Sequence, residues 1–395
     1  MEADVSISGF KAAFSACGLK KNNAPDIALI YSEKDAVSAA VFTTNKVKAA
    51  PVLLSMENIK DGKARAIIVN AGNANACTGD QGMNNAQETA RMVSDSLGIS
   101  PDDVLVASTG VIGAQLDIQK IEKAIPELVK NLTPEGIEGV ARAIMTTDSF
   151  PKIRTFSGKV NDTNYNITGI AKGAGMIMPN MATMLCFILT DINISNSLLK
   201  KALSHAVENS FNKITVDGDT STNDTVFVMA NGAAGNNEPD ESAYKEFLAG
   251  LQGIMYDLAT MIVKDGEGAT KVIHIFVKGA ATPSDAKAAA RTVANSSLVK
   301  TAFYGQDPNW GRIMGALGRA GIDMTENKID ILIDDIKIVQ SGLGLGSENE
   351  KMAAGIMENP EFSLTIELNT GEYDDRITTC DLTHEYVSIN ADYRT

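Results

Sequence analysis

The chain reads as an α/β protein with mixed sheets packed against helices, and three observations predict it. Apolar runs of strand length recur along the 395 residues, amphipathic segments of helical spacing alternate with them, and Gly and Pro fall as turn punctuation rather than as a spacer. The strand segments are Ala28–Tyr31, Ala39–Phe42, Ala66–Asn70, Val104–Ala107, Met184–Leu189, Thr225–Met229, Val272–Val277 and Ile329–Ile333. Ile118, Ile121, Ile125 and Leu128 share one helical face. So do Phe247, Leu248, Leu251, Ile254, Met255, Leu258, Met261 and Ile262, in a run that stops at Lys264-Asp265-Gly266. The length suits two domains or one large two-part core. No repeat, low-complexity tract or shift of composition marks a boundary.

Composition removes several function classes. Hydrophobic residues make up 44% and charged residues 21%, as in an ordinary globular enzyme. A net charge of -14 repels nucleic-acid phosphates and anionic membrane surfaces, so neither is an expected partner. Cys17, Cys77, Cys186 and Cys380 are scattered and form no CxxC pair, which fits reduced thiols in a cytoplasmic protein. Neither a secretory leader nor a run long enough to span a membrane is visible, so a soluble intracellular protein is expected.

The densest motif runs from Lys172 to Leu185, KGAGMIMPNMATML. A glycine-rich, proline-broken approach leads straight into Thr183, which heads an apolar strand. Pro179 restricts itself and Met178, and a strand buried on both faces holds its first residue rigidly. Chemistry offers such a threonine a use. Its hydroxyl can attack the Ala182 carbonyl in an N→O acyl shift that ends in cleavage, leaving Thr183 with a free α-amine. That amine has an ordinary pKa of about 7.7–8.0, so nucleophile and base then sit on one residue. A threonine that opens a strand after a Gly/Pro loop is, on these grounds alone, more often a simple β-former.

Six further blocks stand beside this motif. They are Ser108–Gly113 (STGVIG), Met145–Asp148 (MTTD), Asp217–Asp224 (DGDTSTND), Lys264–Thr270 (KDGEGAT), Asp307–Arg312 (DPNWGR) and the terminal Asn390–Thr395. Together, in this order and across nearly the whole chain, they resemble the ornithine acetyltransferases, the glutamate N-acetyltransferases of the cyclic arginine pathway. The resemblance implies a self-processing α/β fold of that kind, cut between Ala182 and Thr183 into chains 1–182 and 183–395 that share one core and assemble as α2β2. It implies transfer of acetyl from N-acetylornithine to glutamate, with Thr183 as nucleophile and Thr109 and Gly110 as the oxyanion hole. Thr146, Lys172, Thr183, Glu267, Asn390 and Thr395 match substrate-binding positions. Acetyl-CoA as a second donor stays open.

Each of these residues has a plainer reading. Ser108 or Thr109 reads as the cap of a helix starting near Val111, and Lys172 and Glu267 as a solvated lysine and an acidic turn residue. Asp217–Asp224 is rich in oxygen ligands, but Val228 stands where an EF-hand needs a bidentate glutamate, so a polar turn near the site is expected instead. Gly342–Gly346 is not a dinucleotide fingerprint, no Walker A sequence is present, and His205, His274 and His384 are too far apart for a metal motif. No metal or nucleotide cofactor is expected. Two rivals remain: an aminopeptidase or amidase of the same self-cleaving fold, whose relatives use serine, and an uncleaved binding protein without chemistry.

Overall fold

The computed structural model describes residues 5–21, 23–178 and 184–392. It resolves into two compact units, one comprising Met1–Asn212, Asp219–Ile262 and Arg394–Thr395, the other Lys213–Gly218 and Val263–Tyr393.

The first unit carries an eight-stranded mixed sheet. Its strands are β1 (Phe10–Ser15), β2 (Ile27–Phe42), β3 (Lys63–Asn73), β4 (Val104–Val111), β5 (Lys152–Val160), β6 (Thr163–Lys172), β7 (Leu185–Thr190) and β8 (Thr225–Ala230). The order is β4-β3-β2-β8-β7-β6-β5, with β1 also paired to β2. β3–β4 and β7–β8 are parallel, whereas β5, β6 and β7 form an antiparallel meander. Alternate residues enter different cores. Ile67, Val69, Leu105 and Ala107 pack with the helix Ile137–Ala143, while Ala66, Ile68, Val104 and Val106 pack with residues of the helix Ile118–Lys130. Burial on both faces explains why β7 and β8 read as continuous apolar runs.

The expectation of two strands at Ala28–Tyr31 and Ala39–Phe42 fails, because both belong to β2. The polar stretch Glu33-Lys34-Asp35 is exposed, and the register with β3 shifts between Tyr31 and Ala36, but pairing resumes at Val37 with Ala230 of β8. Likewise no helix begins near Val111. Ser108–Val111 continue β4, and the next helix starts at Ile118.

The second unit holds a six-stranded sheet of β9 (Val272–Ala280), β10 (Asp330–Ile333), β11 (Ile336–Gln340), β12 (Leu343–Gly344), β13 (Glu361–Glu367) and β14 (Tyr373–Cys380), in the order β12-β11-β10-β13-β9-β14. Its core gathers Ile275, Val277, Leu364 and Ile366 against Ala286, Ala290 and Val293 of the helix Pro283–Ala294. Composition gave no sign of the division into two units. Both are built from the same mixture of strands and helices, so no change in residue usage accompanies it.

Candidate active site

Thr109 and Gly110 stand at the end of β4, where its parallel pairing with β3 turns irregular at Gly72 and Asn73. The backbone at Gly110 has φ +129, and a Cβ there would lie 2.4 Å from the carbonyl carbon of Gly72. Only glycine fits, because two chains approach with no room for a side chain. The neighbouring Ser108 hydroxyl donates to Asn70 Oδ1 at 2.6 Å, and Asn223 Nδ2 donates to the carbonyls of Ser108 and Ala74 at 2.8 and 2.7 Å. The oxygen-rich turn before β8 therefore buttresses the end of β4 through side-chain-to-backbone bonds.

The β5–β6 hairpin delivers the charge. Its register sets Lys152 opposite Ala171, next to Lys172. Lys172 Nζ donates to Thr146 Oγ1 at 2.8 Å and to Thr109 Oγ1 at 3.4 Å, and lies 3.9 Å from Asp148 Oδ2. Asp148 also accepts from Lys152 Nζ at 2.8 Å, Gly173 N–H at 2.6 Å and Thr146 N–H at 2.9 Å. Burial by itself pushes the Asp148 carboxyl up. The Lys172 and Lys152 ammonium groups and the bond from Gly173 outweigh it and hold the group at about 2. A fixed carboxylate thus anchors two buried ammonium groups. Because Lys172 donates to the Thr109 oxygen, the Thr109 proton remains available to an oxygen atom elsewhere.

The predicted nucleophile Thr183 and its neighbour Ala182 lie outside the described residues, as does Thr395. Met184, the next residue in the chain, is described. Its N–H donates to Asp224 Oδ1 at 3.0 Å and its carbonyl accepts from Thr225 N–H at 3.1 Å. Burial pushes the Asp224 carboxyl well above its ordinary range, against the opposing pull of the Met184 N–H and the Lys172 charge.

The structure thus brings together Thr109, Gly110, Thr146 and Lys172, all in the first unit. Glu267 and Asn390 meet in the second, where Asn390 Nδ2 donates to Glu267 Oε2 at 2.8 Å. There the helix His384–Asp392 follows Thr383, whose hydroxyl donates to the Gly268 carbonyl at 2.7 Å. Sequence reasoning missed Asp148, Lys152, Asn223 and Asp224. Two of its blocks contained Asp148, Asn223 and Asp224, but their partners include distant segments of the chain. Among the described residues, no group of three or more His, Cys, Asp or Glu is placed to hold a metal ion.

A hydroxyl donor in contact with a buried lysine, followed by a glycine that lets backbone approach closely, is equipment for stabilising an oxyanion, as acyl transfer requires. Comparison with known proteins agrees with that class. Residues 11–395 match the ArgJ family. The arginine biosynthesis bifunctional protein ArgJ of Geobacter sulfurreducens is 50% identical over 394 residues, covering 99% of this chain and 100% of that protein. The glutamate N-acetyltransferase of Methanocaldococcus jannaschii is 49% identical over 394 residues, covering 97% of each. A crystal structure of the arginine biosynthesis bifunctional protein argJ from Bacillus halodurans superposes with a TM-score of 0.50 at 42% identity, covering 52% of this chain and 98% of that one. The chain belongs to the ArgJ family.

Proposed function

We propose that this protein is a self-cleaving acyltransferase of arginine biosynthesis that moves an acetyl group from N-acetylornithine to glutamate. The observation that carries this is 49% identity to a glutamate N-acetyltransferase over almost the full length of both chains.

Cleavage between Ala182 and Thr183 supplies the nucleophile. The Thr183 oxygen attacks the acetyl carbonyl of N-acetylornithine while the α-amine takes the hydroxyl proton. Thr109 Oγ–H and the Gly110 N–H stabilise the negative charge on the carbonyl oxygen, and Lys172 fixes the Thr109 hydroxyl in orientation. The C–N bond then breaks, the proton passes to the leaving ornithine nitrogen, and acetyl remains as an ester on Thr183. The glutamate amine attacks that ester and reverses the sequence. Thr146, Lys172, Glu267, Asn390 and Thr395 hold the amino-acid substrates, with Lys172 and Glu267 giving one charge of each sign.

The topology suits a cut chain. β6 ends at Lys172, β7 begins at Leu185, and the two pair antiparallel from Ile167↔Thr190 to Lys172↔Leu185. A break between them falls in their connection and leaves the ladder joining chains 1–182 and 183–395. The solved relative that covers 98% of itself but 52% of this chain has the extent of one such fragment. We place the enzyme in the cytoplasm as α2β2, without a metal cofactor. The name bifunctional carried by several relatives favours acetyl-CoA as a second donor.

A denaturing gel with N-terminal sequencing tests the reading. Two fragments are expected, the second starting at Thr183, and an active preparation that stays one chain refutes it. Parallel assays with acetylornithine and acetyl-CoA settle the donor. Absence of product from acetyl-CoA limits the enzyme to the first.

A further inference from the structure

Between β1 and β2 stand two charged residues that the transfer chemistry leaves unused. Asp26 is fully buried. Its Oδ1 accepts the Cys17 N–H at 2.6 Å, and its Oδ2 accepts the N–H groups of Leu19 and Lys20 at 2.6 and 2.9 Å. A carboxyl that gathers three N–H bonds from one short segment fixes the path of that segment. Lys120 Nζ adds a bond to the Gly18 carbonyl at 2.7 Å. The half-buried Lys20 ammonium donates to the carbonyls of Pro25 at 2.7 Å and Ala143 at 2.9 Å.

The two ends of Lys20 meet different sides of the site. Its backbone lies against β3. A Cβ on Gly72, where φ is +100, would stand 3.0 Å from the Leu19 carbonyl oxygen and 3.3 Å from the Lys20 nitrogen. Gly72 is also the residue against which Gly110 packs with no room for a side chain. The Ala71 N–H, one residue earlier, donates to the Asp26 carbonyl at 2.8 Å. The ammonium end caps the helix Ile137–Ala143 at its last residue. Three residues further on stands Thr146, which accepts from Lys172, and two beyond it Asp148, which anchors that lysine. Water or a neighbouring side chain suffices to cap a helix, yet this cap comes from 123 positions away and from the segment laid against Gly72. Burial lowers the Lys20 titration and the Lys172 charge acts the same way, while Asp26 and Asp148 oppose them, so the ammonium shares the field of the buried cluster.

We propose that Lys20 is a positioning residue for acetyl transfer, which ties the approach of Gly72 to Gly110 and the turn carrying Thr146 and Asp148 into one register. The role rests on the acyl-transfer reading of Thr109, Gly110 and Lys172. Thr109 belongs to β4, and its oxygen accepts from a lysine on β6 that Thr146 and Asp148 orient. The hydroxyl therefore aims correctly only while the end of β4 and the turn before β5 keep their spacing. Lys20 meets both, with its backbone through Gly72 and its ammonium through Ala143. Asp26 keeps the backbone end in place. A misplacement of about 1 Å in such an arrangement costs about 10²-fold in rate.

Amide hydrogen exchange and steady-state kinetics on the purified enzyme test this, with rates normalised to the cut fraction on a denaturing gel. Lys20→Met keeps an apolar stem without the ammonium. It should speed amide exchange at residues 71–73 and 144–148 by about tenfold or more, while β7 and β8 stay at the parental rate. Its kcat should fall by about tenfold or more with KM within about twofold of the parent. Lys20→Arg keeps donors for the two carbonyls and should hold both readouts within about threefold of the parent. In a Thr109→Ala background the Met substitution should cost only about twofold, because the hydroxyl it helps to aim is gone. Unchanged exchange in those two segments, or a rise spread evenly over the first unit, overturns the proposal. So do Arg and Met variants that are equally slow, and so do Lys20→Met and Thr109→Ala costs that multiply in full. A parent without acetyl transfer rejects the reading beneath the proposal, and the exchange pattern then decides by itself whether Lys20 ties the two segments.

Discussion

The two sheets treat charge differently. In the first unit β7 and β8 are buried at every residue, and ionisable groups are carried into that interior: Asp148, Lys152, Lys172 and Asp224 are all almost or fully buried. In the second unit β13 alternates buried with more exposed positions, as a strand covered on one face does. That unit also buries Asp381, Lys271 and Lys300, but the side-chain charges there rest on hydroxyl and backbone groups. Asp381 accepts from the Thr270 hydroxyl and the Thr270 and Lys271 N–H groups, and Lys300 donates to the Thr379 hydroxyl and the Cys380 carbonyl. Charges that orient one another in a dry interior act strongly on a reacting carbonyl. In the second unit Glu267, in the turn before β9, accepts from the side chain of an exposed Asn390. On the proposed reading, Thr109, Gly110 and Lys172 of the first unit serve bond chemistry, and Glu267 and Asn390 serve recognition.

Substitutions can break this division. Thr183→Ala is expected to abolish both cleavage and transfer, while Thr183→Ser keeps some of each. Gels and acetyl-transfer assays on one preparation check both. Lys152→Met strips Asp148 of a buried partner and should cost about 3–5 kcal/mol in unfolding free energy. Glu361→Gln in the second sheet breaks the exposed contact with His274 and should cost less than about 1 kcal/mol. Similar costs for the two by denaturant unfolding would erase the contrast. Thr109→Ala should lower kcat by about 10²–10³-fold with little change in KM, and an effect confined to KM would make Thr109 a ground-state binder. Asn390→Ala, in contrast, should raise KM about fivefold and leave cleavage normal.

Acid titration sharpens the same comparison. The folded-state pKa of Asp148, about 2, lies below its unfolded value of about 3.9. Its stabilising contribution is therefore complete above about pH 4 and is lost as pH falls through about 2. Thermal unfolding of Asp148→Asn should depend less steeply on pH across that window than the parent does. Equal slopes would mean that the carboxylate is not held by its lysines.

Sequence legibility followed burial. β4, β7 and β8 stood out because nearly all their residues are apolar. The β5–β6 hairpin did not, since KIRTFSGKV carries polar residues at the sheet edge and Asn164, Asn166 and Gly169 interrupt β6. Losing that hairpin hid the site's electrostatics. Lys152 and Lys172 lie twenty positions apart, and only the register Lys152↔Ala171 sets both on Asp148. Thr109, Gly110, Thr146, Lys172, Glu267 and Asn390 were singled out only through family-like blocks. No periodicity marks them, because a polar residue at a strand end, in a turn or on an exposed helix has the same local pattern whatever its task. The pairing of Asn390 with Glu267 joins segments 123 positions apart, which local pattern cannot show.

The central claim is that acetyl rests covalently on Thr183 between the two half-reactions. Its most direct test is intact-mass analysis of enzyme quenched after brief exposure to N-acetylornithine without glutamate, followed by peptide mapping. One acetyl group is expected on the fragment that begins at Thr183, on that residue, and it should disappear when glutamate is added. An unmodified fragment during active exchange, or acetyl on any other residue, contradicts the account.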